Sequence, residues 1–173
     1  MVILGLGSNV GDRLKHLGAA IRGLSALLQN THCSRLLESP AMMPKDAPPE
    51  WNLPYINMAI SGDTSLSPQA LFKAIKTIEH KIGRVPRGAW GPREIDIDIL
   101  AMDDKVLETA ELTIPHRGLL ERDFALLPLI DVAPDWRYPA AGKYHGWMAI
   151  DIIADKEFML SEHLHDTGLK IHD

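Results

Sequence analysis

The sequence predicts a single α+β domain, an antiparallel sheet with helices packed on its faces in three α/β/α layers. Three observations predict it. Short segments that are continuously apolar or alternate with period two mark strands, and two longer segments carrying apolar residues at steps of three and four mark helices. These follow one another as strand, helix, strand, strand, helix, strand, the βαββαβ order of a ferredoxin-like core. Finally, 173 residues with 46% hydrophobic and 24% charged content suit one well-cored globular unit.

The elements are justified in turn. Met1 to Leu6 is an apolar run that reads as a buried strand, and Gly7 to Gly11 turns into a helix with Asn9 or Asp12 as N-cap. Leu14, Leu17, Ile21, Leu24 and Leu28 form its apolar stripe. The glycines of GLGSNVG invite comparison with a dinucleotide fingerprint, but the third is one place late and no acidic residue follows at the required distance. Thr31 to Glu38 is a second strand on which Cys33 reads as a small apolar filler. Ser39 to Pro54 holds five prolines, and so long an irregular stretch inside a compact domain marks a loop that is either functional or disordered. Tyr55 to Ile60 resumes a strand with Tyr55, Asn57 and Ala59 on one face, a pattern that fits either a flat heterocycle or an ordinary sheet surface. Ser67-Pro68 starts a second helix with the stripe Leu71, Ile75, Ile78 and Ile82, closed by Gly83. Glu94 to Met102 is the fourth strand, and Ala125 to Val132 a short apolar helix. Beyond Pro139 the pattern weakens, so the chain divides into residues 1–138 and a C-terminal extension, 139–173, whose His163, His165 and His172 read as solvated.

The chemistry concentrates in WGPREIDIDIL, Trp90 to Leu100. Ile95, Ile97 and Ile99 alternate with Glu94, Asp96 and Asp98, so Asp96 and Asp98 share a face. Two residues along a strand is about 6.5 Å, and at an effective dielectric near 20 two carboxylates so placed repel by about 2.5 kcal/mol. A hard divalent cation removes that penalty, and Mg²⁺ suits the pair because one or two carboxylates commonly hold it while water and phosphates complete its shell. A bare acidic pair is equally a solvated strand face. The flank changes the balance, since Trp90, Arg84, Arg87 and Arg93 bring an aromatic plane and three permanent positive charges to the same place, and arginines beside a metal-binding pair suit phosphate chemistry. The Arg84 to Trp90 loop, rich in Pro, Gly and Arg, reads as a lid. A net charge of −5 argues against a general nucleic-acid or anionic-membrane surface, and no apolar run has the length of a signal core or a span, so a cytoplasmic monomer is expected.

GLGSN, YIN at 55–57, GRV before WGPREIDIDIL, and LTIPHRGLLERDFALLPL together resemble hydroxymethyl-dihydropterin pyrophosphokinase, from Val2 to about Pro134. That resemblance implies transfer of the pyrophosphoryl group of ATP to the hydroxymethyl oxygen of a reduced pterin, with two Mg²⁺ ions held by Asp96 and Asp98. It further implies that Tyr55 and Phe124 sandwich the pterin, with Asn57 on its edge, Asp96 nearby, Trp90 closing over it, and Ser39, Pro40 and Met42 in contact. Arg84, Arg93, His116 and Arg122 would face the phosphates, Arg87 would join Arg84 as charge develops, and Lys76, Glu79, Ile99 and Thr113 would surround the nucleotide. Alone, His116 reads as a capping or core histidine. Three departures from the family stand out: Pro86 where a basic residue is common, Glu111 likewise, and a 39–54 loop longer than typical.

Two other functions compete. A ferredoxin-like sheet also serves as an RNA platform, but the basic and aromatic pattern that such a platform needs is absent. An Asp-x-Asp phosphohydrolase would release phosphate from ATP without any pterin.

Overall fold

The computed structural model describes residues 1–88, 90–156 and 164–171. Its order is β1 (Val2–Ser8), α1 (Arg13–Leu24), β2 (Gln29–Cys33), β3 (Leu37–Ser39), β4 (Tyr55–Asp63), α2 (Pro68–Ile82) and β5 (Asp96–Met102). There follow the short hairpin of β6 (Leu107–Glu108) and β7 (Thr113–Ile114), then α3 (Asp123–Val132), α4 (Ala149–Asp155) and β8 (His165–Asp166). The main sheet runs β5-β1-β4-β3-β8 with β2 also on β4, every pair antiparallel, which is the ferredoxin-like order with additions at one edge.

Local chemistry sets the helix ends. Asp12, not Asn9, caps α1 by accepting the Lys15 N–H at 3.1 Å, and the Ser25 hydroxyl donates to Arg22 O at 2.8 Å where the helix stops. Ser67 caps α2 by accepting the Ala70 N–H. Gly83 ends it at φ 104°, a left-handed turn that lets Arg84 N–H reach back to Glu79 O at 3.1 Å and sets the direction of the arginine loop.

The expected single strand over Thr31–Glu38 is instead two. At the break, Ser34 exchanges bonds with Ala59, its backbone N–H donating to the carbonyl and its hydroxyl accepting from Ala59 N–H, so a side chain replaces part of the ladder. Cys33 is exposed rather than a core filler, because all five residues of β2 face solvent.

One sheet face packs Leu4, Leu6, Ile56, Met58, Ile60, Ile97 and Ile99 against Leu17 and Leu24 of α1 and Leu71 and Ile75 of α2. The other face is divided. Ile3, Ala59, Leu100 and Ala101 lie under Leu126 and Leu129 of α3, together with Trp136, Ala149, Ile152 and Ile153 from the chain beyond it. Further along the same face stand Gly5, Gly7, Tyr55, Asn57, Asp96 and Asp98, which line an open cleft. The weak pattern after Pro139 thus conceals α4, which helps complete the second core. Ile152 is fully buried. Ile152→Val should therefore lower global stability by about 1 kcal/mol in a single urea transition, whereas an unmoved midpoint would mean that α4 frays independently.

The tail returns to the sheet. His165 and Asp166 pair with Glu38 and Leu37, Thr167 N–H donates to Leu36 O at 3.1 Å, and Ile171 packs near Gly18 of α1. His163 and His172 lie outside the described residues. No helix among the described residues is long and apolar enough to cross a membrane.

Candidate active site

The cleft is open to solvent on one side and leaves about 130 Å³ of free space between its walls. Glycine makes its floor. A Cβ on Gly7 would stand 3.1 Å from Asn57 Oδ1 and 3.3 Å from the Tyr55 ring, so these side chains lie across β1 only because nothing projects from it. Asn57 is buried and donates to the Ser39 hydroxyl at 2.8 Å, an alignment set by the register that pairs Leu37 with Asn57 and Ser39 with Tyr55. Pro40, Met42, Trp90 and Phe124 form the walls. Met42 and Trp90 are half exposed, and the Arg122 guanidinium lies 5.9 Å from the Phe124 ring centroid.

Asp96 and Asp98 enter the cleft from β5. Burial would raise the Asp96 pKa, but the charges of Arg93, Arg84 and Lys76 outweigh it and hold the group below its ordinary value. Asp98 is pushed the other way, first by burial and then by the charge of Asp96. A β-bulge matters here: Ile3 pairs with Ala101 and Leu4 with Ile99, which leaves Leu100 out of the register. The Leu100 carbonyl accepts His116 N–H at 2.9 Å, and His116 Nε2 comes to 3.7 Å from Asp98 Oδ2. His116 Nδ1 accepts the Gly118 N–H, which assigns the remaining proton to Nε2, while burial and the charge of Arg122 lower its pKa against the pull of Asp98.

A second cleft adjoins the first, lined by Lys76, Glu79, Arg84, Arg87 and Arg93, with Arg93 common to both. Glu79 is its buried anchor. One oxygen accepts from Ile97 N–H at 2.8 Å and from Arg84, and the other from Lys76 at 2.9 Å. Arg84 also reaches Asp96 Oδ1 at 2.8 Å, and Arg93 pairs with Asp96 Oδ2. Arg87 instead makes a bidentate pair with Glu94 at 2.6 and 3.0 Å, and burial fails to offset this bond, so the Glu94 pKa falls from 4.5 to about 2.

The sequence pattern of the family described as 7,8-dihydro-6-hydroxymethylpterin-pyrophosphokinase matches residues 3–134. The chain belongs to that family. It is an ATP-dependent pyrophosphokinase of folate synthesis, which transfers the pyrophosphoryl group of ATP to hydroxymethyldihydropterin. It is 41% identical over 142 residues to the 2-amino-4-hydroxy-6-hydroxymethyldihydropteridine pyrophosphokinase of Aquifex aeolicus, covering 80% of this chain and 83% of that one. To the Synechocystis protein of the same name it is 39% identical over 143 residues, covering 82% and 70%. A "Folate synthesis bifunctional protein" of Chlamydia trachomatis is 40% identical over 144 residues, but this chain spans only 32% of its length. The crystal structure of Plasmodium falciparum HPPK-DHPS wild type superposes with a TM-score of 0.64 at 15% identity, over 99% of this chain and 47% of that one, a likeness of fold.

Against the residue set that resemblance to the pyrophosphokinases implies, the first cleft gathers Ser39, Pro40, Met42, Tyr55, Asn57, Trp90, Arg93, Asp96, Asp98, His116, Arg122 and Phe124, and the second gathers Lys76, Glu79, Arg84 and Arg87. Two residues line neither. The Ile99 side chain is in the first core, and Thr113 sits in the β6–β7 hairpin opposite Glu108. Arg84 and Arg93 both bind Asp96, Arg84 also binds the more deeply buried Glu79, and Arg87 binds Glu94. Sequence reasoning also missed Gly5 and Gly7 as floor, and Asn9, whose Oδ1 accepts Arg93 N–H at 2.7 Å while its Nδ2 donates to Leu53 O. A glycine alternating through an apolar strand was the available signal for the floor.

Proposed function

We propose that the pterin occupies the first cleft and ATP the second, with the reacting atoms meeting at Asp96. The observation that carries this reading is the junction itself: Asp96 lines the first cleft and is held by Arg84 from the second and by Arg93, which lines both. Magnesium fits this pair. The donors are two carboxylates on one face, Asp98 carries the penalty of its like-charged neighbour, and among the described residues no third acidic, His or Cys side chain completes a closed site. Water and phosphate oxygens would complete the shell, as Mg²⁺ prefers. Held by Asp96 and Asp98, the two ions that the family resemblance implies would neutralise the phosphate charge that develops during transfer.

The chain's own residues position and screen. Tyr55, Phe124 and Asn57 orient the ring so that its hydroxymethyl oxygen faces the β-phosphorus. That oxygen forms the new O–P bond and gives up its hydroxyl proton to solvent water as the bond between the β-phosphorus and the α–β bridging oxygen breaks, and AMP leaves with the bridging oxygen. Phosphate oxygens compete with Asp96 for the N–H groups of Arg84 and Arg93, which hand over the carboxylate as they take up the phosphates. Trp90 closes the cleft and excludes water that would hydrolyse ATP. In this reading residues 1–138 hold the catalytic machinery and 139–173 support it, in a cytoplasmic monomer that requires neither nucleic acid nor membrane.

The test is AMP formation from ATP and Mg²⁺ with and without the reduced hydroxymethylpterin. AMP appearing only with pterin supports the transferase, while phosphate release without pterin would replace it by a phosphohydrolase. Phe124→Ala should weaken pterin binding by about 1–3 kcal/mol, the scale of stacking on one aromatic ring. Calorimetry showing an equal loss for a non-hydrolysable ATP analogue would give Phe124 a general packing role instead.

A further inference from the structure

The arginine loop is fastened at a point that the reaction does not itself require. Glu94 is built into the sheet margin: its carbonyl accepts the Ser8 hydroxyl at 2.6 Å, and the preceding residue exchanges backbone and side-chain bonds with Asn9. From this fixed position the Glu94 carboxylate reaches across the loop. It takes both terminal nitrogens of Arg87 and also the Val85 N–H at 3.1 Å, while Arg87 donates again to Pro92 O at 2.9 Å. The loop backbone closes on the same point, because a Cβ on Gly91 would lie 2.5 Å from both the Cβ and the carbonyl oxygen of Arg87. The contact therefore requires glycine at 91. Val85 directly follows Arg84, so whatever holds Val85 N–H also limits where the Arg84 guanidinium can go.

We propose that Glu94 is a positioning residue for the transfer: through Arg87 and Val85 it clamps the loop to the sheet and keeps Arg84 between Glu79 and Asp96, where the two clefts meet. Arg87 thus acts through Glu94 and not on the phosphates. The clamp is a planar bidentate pair, half-shielded from solvent, with a backbone donor added, which sets it apart from an isolated surface ion pair. The proposal rests on the reading that Arg84 serves the ATP phosphates.

The test is a double-mutant cycle of Arg87→Ala and Glu94→Gln with limited trypsin digestion alongside. Each single variant should lower kcat/KM for ATP by about tenfold, with calorimetric affinity for pterin alone unchanged, and the double variant should be no worse than the poorer single one. Trypsin should cut Glu94→Gln after Arg84 or Arg87 at least about fivefold faster than wild type, since local opening sets the cleavage rate. Gly91→Ala, which displaces Arg87 sterically and leaves every charge in place, should reproduce both effects. Multiplying losses in the double variant would overturn the proposal by placing Arg87 directly on the substrate, and so would a Glu94→Gln protein with wild-type kinetics and cleavage. A wild-type protein that forms no AMP with pterin would overturn the proposed function instead, and the trypsin comparison would still decide the clamp.

Discussion

Asp98→Asn is expected to lower kcat by at least about a hundredfold while the protein stays folded, the scale on which one preorganised electrostatic group acts. The two aspartates should nevertheless behave differently. Asp98 carries a raised pKa, because burial and the charge of Asp96 disfavour its ionised form. A raised carboxyl pKa means that the folded protein binds a proton the unfolded chain has released, so this group lowers stability as pH rises through its unfolded value toward its folded one. At neutral pH asparagine removes that penalty, and the thermal midpoint of Asp98→Asn should equal or exceed that of wild type. Asp96 is the opposite case, with a pKa held down by Arg93 and Arg84 against burial, so its ionised form adds stability that is lost as pH falls. Asp96→Asn should lose activity on the same scale and also lower the midpoint, because Arg84 and Arg93 lose their common acceptor. Circular dichroism melts and AMP formation at saturating substrates measure both effects. A folded Asp98→Asn protein turning over near the wild-type rate would remove the metal pair from the mechanism.

Glu79→Ala carries the largest expected loss of stability. The carboxylate is 2% exposed and serves Ile97 N–H, Arg84 and Lys76 together. Its removal strands a buried backbone donor and leaves a partly buried guanidinium with less compensation, which costs about 3 kcal/mol. Ile97 lies between Asp96 and Asp98, so the same change loosens the β5 segment that aims them, and kcat/KM for ATP should fall with stability. Glu79→Gln keeps a carbonyl oxygen for Ile97 N–H and should lose less of both. Urea unfolding set beside ATP kinetics separates this anchoring role from direct contact with the nucleotide, which would move KM for ATP without moving the unfolding midpoint.

The order of strands and helices was legible because periodicity is local. The α2 stripe ends at a glycine where the structure ends it, and the Ile95-Ile97-Ile99 alternation puts Asp96 and Asp98 in the cleft. Residue types with one strong chemical use were legible for the same reason, since two carboxylates on one strand face beside arginines restrict the ligand wherever the strand lies. Hydrophobic pattern failed where burial came from an unusual neighbour. The α4 segment is short and sits on α3 rather than on the sheet, so seven residues give too little repeat to reveal it.

What the sequence by itself determined is thus the class of fold, the core-facing side of β5, and the acidic and aromatic groups that line the cleft. Only the tertiary structure decided how polar groups are shared among partners. Asn9 turned from helix cap to anchor for Arg93, the Leu100 bulge delivered His116 to Asp98, and Arg87 went to Glu94 while Arg84 went to Glu79 and Asp96. A charged side chain has several acceptors within reach of its flexible stem, and which one it takes depends on distances set by distant segments once the sheet has closed. A one-dimensional pattern records which side of an element is buried, and carries no information about those distances.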